Sequence, residues 1–176
     1  MSRRSATTTP ASRAPPTSSD SPSRGSDGVP ALVIGIGNRA RGDDAVGPEV
    51  ASRVAQLGLP GIAVVVLNEP VALVEQFDTH DHVVVVDAID PRGHPGRVQL
   101  RDVSSAPLRR DPPALGSHGF GVTDAVELAR ALGRLPKRLT LVGVEARTFQ
   151  PGAPLSPRVH ESLDDAVAAV VTALPA

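Results

Sequence analysis

The residues best suited to chemistry in this chain are a few carboxylates and one histidine set among glycines. Asp43 and Asp44 are adjacent at the end of Gly35-Ile36-Gly37-Asn38-Arg39-Ala40-Arg41-Gly42-Asp43-Asp44. Asp87 follows Val83-Val84-Val85-Val86 and opens Asp87-Ala88-Ile89-Asp90, and His118 stands within Gly116-Ser117-His118-Gly119-Phe120-Gly121. Gathered at one place, these groups make an oxygen, oxygen and nitrogen donor set. Such a set suits a divalent ion of intermediate softness, zinc or nickel, with coordination positions left open. Each residue also has a plainer reading. Acids near a helix start are favoured by the helix dipole and by capping, an Asp at a strand end can simply make a turn, and a loop histidine is most often just solvated. The conjunction of the three clusters outweighs these separate readings.

The elements that must position them follow from hydrophobic pattern. Ala31–Ile36, Ile62–Leu67 and His82–Val86 are short β-branched runs of the kind that form strands buried on both faces. Val46, Val50, Val54 and Leu57 mark a helix between the first two, stopping at Gly58 and Pro60. Pro70 opens a short helix with Val71, Val74 and Phe77 on one face. Gly96–Val103 alternates as an edge or antiparallel strand with one wet face, and a polar, Pro-rich loop follows from Ser104 to about Gly121. Thr123 is expected to cap a helix turning Ala125, Leu128, Ala129 and Leu132 inward. Arg138–Val144 forms another buried strand. Ser156-Pro157 starts a last helix that presents Val159, Leu163, Ala166, Val170 and Leu174 to the core. The order is that of an α/β protein with a mainly parallel five-stranded sheet covered by helices and one edge strand that can run antiparallel. In such sheets ligands sit beyond the carboxyl ends of the strands, where all three clusters are expected.

Composition narrows the function classes. The 176 residues divide into a Pro/Ser/Thr-rich tail over 1–30, expected to be disordered, and one domain over 31–176. Arg3-Arg4 is not followed by the apolar run an export signal needs. With the four Arg and two Asp of the tail set aside, 14 basic and 17 acidic residues remain, which argues against nucleic-acid binding. The three aromatics, Phe77, Phe120 and Phe149, make no base-stacking surface. No apolar run is long enough to span a membrane. Cysteine is absent, which excludes disulfides, thiolate metal sites and cysteine nucleophiles and is compatible with a cytoplasmic protein. Neither a dinucleotide fingerprint nor a phosphate loop is present, because Arg39-Ala40-Arg41 replaces the required spacing and no Gly-Lys-Ser/Thr follows. His80, His82, His94 and His160 lack a donor context and read as structural or surface residues.

Gly35-x-Gly37-Asn38 followed by Gly42-Asp43-Asp44-x-x-Gly47 resembles the opening signature of the nickel-iron hydrogenase maturation proteases. The resemblance continues through Val86-Asp87-Ala88, Ser117-His118, Leu139-Thr140-Leu141-Val142-Gly143-Val144-Glu145, Phe149, Gly152 and Leu155-Ser156-Pro157-x-Val159. It spans about residues 31 to 174. It implies a three-layer α/β/α fold with a twisted, mainly parallel sheet. It also implies an aspartic-type endopeptidase that removes the C-terminal extension of a hydrogenase large-subunit precursor after nickel insertion. By motif match the metal ligands are Asp44, Asp87 and His118, the catalytic acids Asp43, Asp44 and Asp87, and the substrate-binding residues Gly37, Asn38, Gly42, Ser117 and Gly119. The family's metal is the precursor's own nickel. No permanently bound cofactor is therefore expected, although zinc or cadmium could take nickel's place in vitro. The implied partner is the nickel-loaded precursor, with no nucleic acid and no membrane, and the enzyme is expected to be a cytoplasmic monomer.

Two departures from the family pattern stand out: Ala45 after the acidic pair, and Asn68-Glu69-Pro70 after the second strand, where a turn could help to select the substrate. Two rival readings remain. A non-catalytic nickel-binding accessory protein would share the fold. A signalling receiver domain also uses an acidic pair and a strand-end Asp, but it needs a lysine where this chain has Glu145, and Lys137 lies before that strand.

Overall fold

The computed structural model describes residues 31–105 and 120–175. The tail over 1–30 and the residues Ser117, His118 and Gly119 lie outside the described part. Five strands form one sheet: β1 (Ala31–Ile36), β2 (Ile62–Leu67), β3 (His82–Ile89), β4 (Val98–Asp102) and β5 (Arg138–Glu145). Their order across the sheet is β2-β1-β3-β5-β4, with every neighbouring pair parallel except β4 against β5. The helices are α1 (Val46–Gln56), α2 (Leu73–Gln76), α3 (Val122–Ala131), α4 (Pro157–Glu161) and α5 (Leu163–Ala173). This is the mixed, mostly parallel α/β sheet that the element order predicts.

Alternation along the central strands divides the core in two. Leu32, Ile34, Val83, Val85 and Leu139 face α2 and α3, together with Leu73, Phe77, Ala125 and Ala129. Val33, Val84, Val86, Val142 and Val144 face α1, α4 and α5, together with Val46, Val50, Val159, Leu163 and Val170. Each fully buried side chain of this size is worth roughly 1.5–3 kcal/mol, so two filled faces are what hold the sheet between its helices.

Several expectations are corrected in detail. β3 runs past Val86 to Ile89, so Asp87 lies inside the strand rather than ending it. The cause is β5, which extends to Glu145 and pairs Gly143 with Asp87 and Glu145 with Ile89. β2 is a sheet edge and only partly buried, with Val66 exposed. The segment after Glu69 begins as a 3-10 turn, Pro70–Ala72, and the tighter winding changes the phase. Val71 is left exposed, while Leu73, Val74 and Phe77 turn inward. Gly121, not Thr123, precedes α3, and the Asp124 carboxylate accepts the Gly121 amide at 3.1 Å. That start buries Val122, Ala125, Val126 and Ala129 and leaves Leu128 and Leu132 exposed. The last helix is two, broken at Ser162, whose hydroxyl donates to the Val159 carbonyl at 2.9 Å. Val159, Leu163, Ala166 and Val170 are buried as expected, and Leu174 is only partly so.

Candidate active site

The strand order reverses direction between β1 and β3: the chain leaves β1 toward β2 on one side and returns to β3 on the other. The crevice at the carboxyl ends of such a pair is where parallel α/β sheets bind ligands. Two glycines set its geometry. A Cβ on Gly47 would run into the carbonyl oxygen of Ile36 and come within 2.7 Å of that of Val86, and one on Gly35 would strike Gly47 and Ala51. The first turn of α1 therefore rests directly on the ends of β1 and β3. Asp44, three residues earlier, is carried to that rim.

Asp44 is partly exposed and accepts the Asn38 amide at 3.0 Å through Oδ2. Gly37 makes the contact possible: its φ of 134° lies in the region that favours glycine, and a Cβ there would collide with the Asp44 carbonyl oxygen. Asn38 closes its own turn, accepting the Ala40 amide at 2.8 Å. Gly42, with φ of 57°, passes close to the Thr148 carbonyl.

Asp87 reaches the same crevice from β3. Part of the residue touches solvent, yet protein surrounds its carboxyl, and this loss of hydration is the main cause of a pKa raised to about 8. The neighbouring Asp44 charge raises it further and Asp90 adds a little, while the Ala88 amide offsets part of the rise. Two acids thus share a crevice, and among the described residues no cation offsets their charge. Keeping both ionised is costly, and an arriving divalent ion would relieve that cost.

Asp43 behaves differently from the catalytic role expected for it. It is fully buried. Its Oδ1 accepts the Ser156 amide at 2.6 Å, and its Oδ2 accepts the Arg147 amide at 2.8 Å, the Thr148 amide at 3.1 Å and the Ser156 hydroxyl at 2.9 Å. A fully buried carboxylate that accepts four hydrogen bonds from one stretch of chain is placed as a structural anchor. Ser156 was the missed partner. Its position before Pro157 marks a helix start, and its backbone has that conformation, but its side chain goes to Asp43 instead of capping the helix.

Among the described residues no group of three or more His, Asp or Glu side chains could hold a metal ion. Asp44 and Asp87 are a pair, and the expected third ligand, His118, lies outside the described part. The chain re-enters it at Phe120. Since α3 leads into the start of β5, its first turn lies toward the carboxyl rim, and α3 also touches the 3-10 turn after β2. Of the other histidines, His82 is buried at the opposite end of β3, where burial lowers its pKa. A shallow cleft of about 670 Å³ between His94–Arg97 and Arg158, Glu161, Ser162 and Asp165 mixes both signs of charge and lies apart from the acid pair. Among the described residues no helix is long and apolar enough to cross a membrane.

Comparison with known proteins agrees with this architecture. The family model described as HycI, hydrogenase maturation protease, matches residues 64–173. The chain is 30% identical over 148 residues to the hydrogenase 2 maturation protease of Escherichia coli K12, covering 81% of this chain and 89% of that one. It is 29% identical over 136 residues to the hydrogenase expression/formation protein HupD of Bradyrhizobium diazoefficiens, covering 75% and 71%. Among solved structures, the hydrogenase maturating endopeptidase HybD from E. coli superposes with a TM-score of 0.65 at 25% identity, covering 82% of this chain and 91% of that one.

Proposed function

The chain belongs to the hydrogenase maturation protease family and is an endopeptidase of that kind, and on that footing we propose that it removes the C-terminal extension of a nickel-iron hydrogenase large-subunit precursor once nickel is in place. The observation that carries this reading is the acid pair. Asp44 and Asp87 share the β1/β3 crevice, where burial first and the charge of Asp44 second raise the pKa of Asp87 to about 8, with no balancing cation among the described residues. Such a pair binds a free ion weakly, but it can complete the coordination of a nickel that the precursor already holds. His118 supplies the third donor. Recognition then depends on the metal being loaded, and cleavage becomes a check on insertion.

The nickel is part of the substrate, so the enzyme needs no resident cofactor, and zinc or cadmium can serve as probes. Asp44 or Asp87, or the docked ion, activates the attacking water or polarises the scissile carbonyl. Gly37, Asn38 and Gly42 line the approach from the β1 side, and Ser117 and Gly119, neighbours of His118 in sequence, contribute to substrate binding. The enzyme acts as a monomer in the cytoplasm on this one protein partner, with neither nucleic acid nor membrane involved.

The test is incubation with nickel-loaded and nickel-free precursor, followed by mass measurement. The expected result is loss of the extension from the loaded form alone. Cleavage of neither form, or of both at the same rate, overturns the proposal.

A further inference from the structure

The four donors on Asp43 come from a single stretch of chain that runs across the candidate site. This strap, residues 146–156, leaves the end of β5, where the Ala146 amide donates to the Ile89 carbonyl at 2.9 Å. It arrives at the turn after β1, where the Gly42 amide donates to Ala153 at 3.0 Å, the Asp43 amide to Thr148 at 3.0 Å, and the Gly152 amide to Ala40 at 2.7 Å. Since β3 lies between β1 and β5, the strap passes the end of the strand that carries Asp87. Its anchor is the residue immediately before Asp44.

We propose that Asp43 is a positioning residue that clamps the strap over 146–156 to the turn carrying Asp44, and so fixes Asp44 relative to Asp87. The inference rests on the reading of those two acids as the pair that meets the precursor's metal. A carboxylate suits the task because it only accepts: it takes amides from residues 147, 148 and 156 and a hydroxyl at once. Asparagine has the same shape but would turn an NH2 toward one of those donors. Leu155 of the strap packs against the core face covered by α1, α4 and α5, while Asp43 bonds to the strap's main chain and to the Ser156 hydroxyl. Loss of those bonds is therefore expected to shift the turn carrying Asp44 before it disturbs the packing of the sheet.

The experiment compares wild type, Asp43→Asn, Ser156→Ala and the double variant. It reads Cd2+ affinity of the free protein by calorimetry, KM and kcat for metal-loaded precursor, and the thermal transition. In Asp43→Asn, Cd2+ affinity should fall and KM rise together by about tenfold or more, as expected when a hydrogen-bonded charge loses its partners and a ligand moves. kcat should fall as well, but by less than in Asp44→Ala, because the acids are displaced rather than removed. Ser156→Ala keeps the main-chain amide and should show the same pattern at about threefold, and the double variant should be no worse than Asp43→Asn, since the two residues form one unit. Loss of kcat with KM and Cd2+ affinity intact would make Asp43 a catalytic residue and overturn the proposal. A lowered melting temperature with all three unchanged would make it merely structural, with the same consequence. Should Asp43→Asn fail to fold, Ser156→Ala decides alone: a raised KM supports the clamp and an unchanged KM overturns it. If wild type binds no Cd2+ and Asp44→Ala still processes precursor, the metal-reading function fails, and the clamp is then judged on the KM comparison alone.

Discussion

Asp87 and Glu145 sit near the carboxyl ends of adjacent paired strands, yet their surroundings push them in opposite directions. Around Asp87 the neighbours are lost hydration and the like charge of Asp44, and the pKa rises to about 8. Glu145 is also buried, which by itself would raise its pKa, but its Oε1 accepts the amides of Arg92 and His94, both at 2.6 Å. Those amides, helped by the charges of His94 and Arg97, bring the pKa below the ordinary value. The loop over 90–97 is thereby wrapped onto the end of β5. The contrast separates two uses of a buried acid. A carboxylate surrounded by amides holds backbone together, whereas one short of donors beside another acid is poised for a cation.

The largest expected effect falls on the donor-poor side. Asp44→Ala and Asp87→Ala should each lower kcat/KM for metal-loaded precursor by about 100-fold or more while leaving the circular dichroism spectrum unchanged. Full processing by both variants would break the comparison at its functional end. The next effect falls on the donor-rich side. Glu145→Ala removes a buried side chain and takes the acceptor from two part-buried amides, and should lower the melting temperature by about 5–10 °C at pH 7. Glu145→Gln should lose less than half as much, because its NH2 can occupy the place of Oε2, which has no partner. Equal losses would mean that the amides are not what the residue serves.

The smallest effect is a difference in sign with pH. The folded protein keeps a proton on Asp87 that the unfolded chain has already released, between about pH 4 and the folded value near 8. Stability therefore falls as pH rises through that window. Asp87→Asn should melt level with wild type near pH 4 and about 3 °C or more above it at pH 9. Glu145 works the other way: its contribution is present above about pH 4.3 and is lost as pH falls through its lowered folded value. The gap between wild type and Glu145→Gln should accordingly close in acid. Melting curves from pH 3 to 9 that move both variants in the same direction would remove the distinction.

The strands and their mainly parallel arrangement could be read from sequence because runs such as Val83–Val86 have few alternatives. Where β3 ends could not. Asp87-Ala88-Ile89-Asp90 looks like a polar exit, and the strand continues only because β5 continues beside it. The inward faces of α2 and α3 differ from expectation because the first turn sets the phase: Pro70 opens a 3-10 turn rather than an α-turn, and α3 follows Gly121 rather than Thr123. At the site, Asp44 and Asp87 were recognisable as rim acids. Asp43 could not be told from Asp44, because adjacent carboxylates are chemically identical until the fold turns one inward to meet Ser156 and the other outward. That choice depends on residues more than a hundred positions away.

The contact at Gly47 has a consequence beyond packing. The separation of the two acids is gauged by missing atoms: with no side chain between α1 and the ends of β1 and β3, the helix beds down on the strands' carbonyl oxygens. A single methyl group there would act as a shim. It would lift one end of the helix, and Asp44, three residues before Gly47, would be shifted relative to Asp87 on the strand beneath. In this enzyme the smallest side chain sets the tolerance to which the site is built.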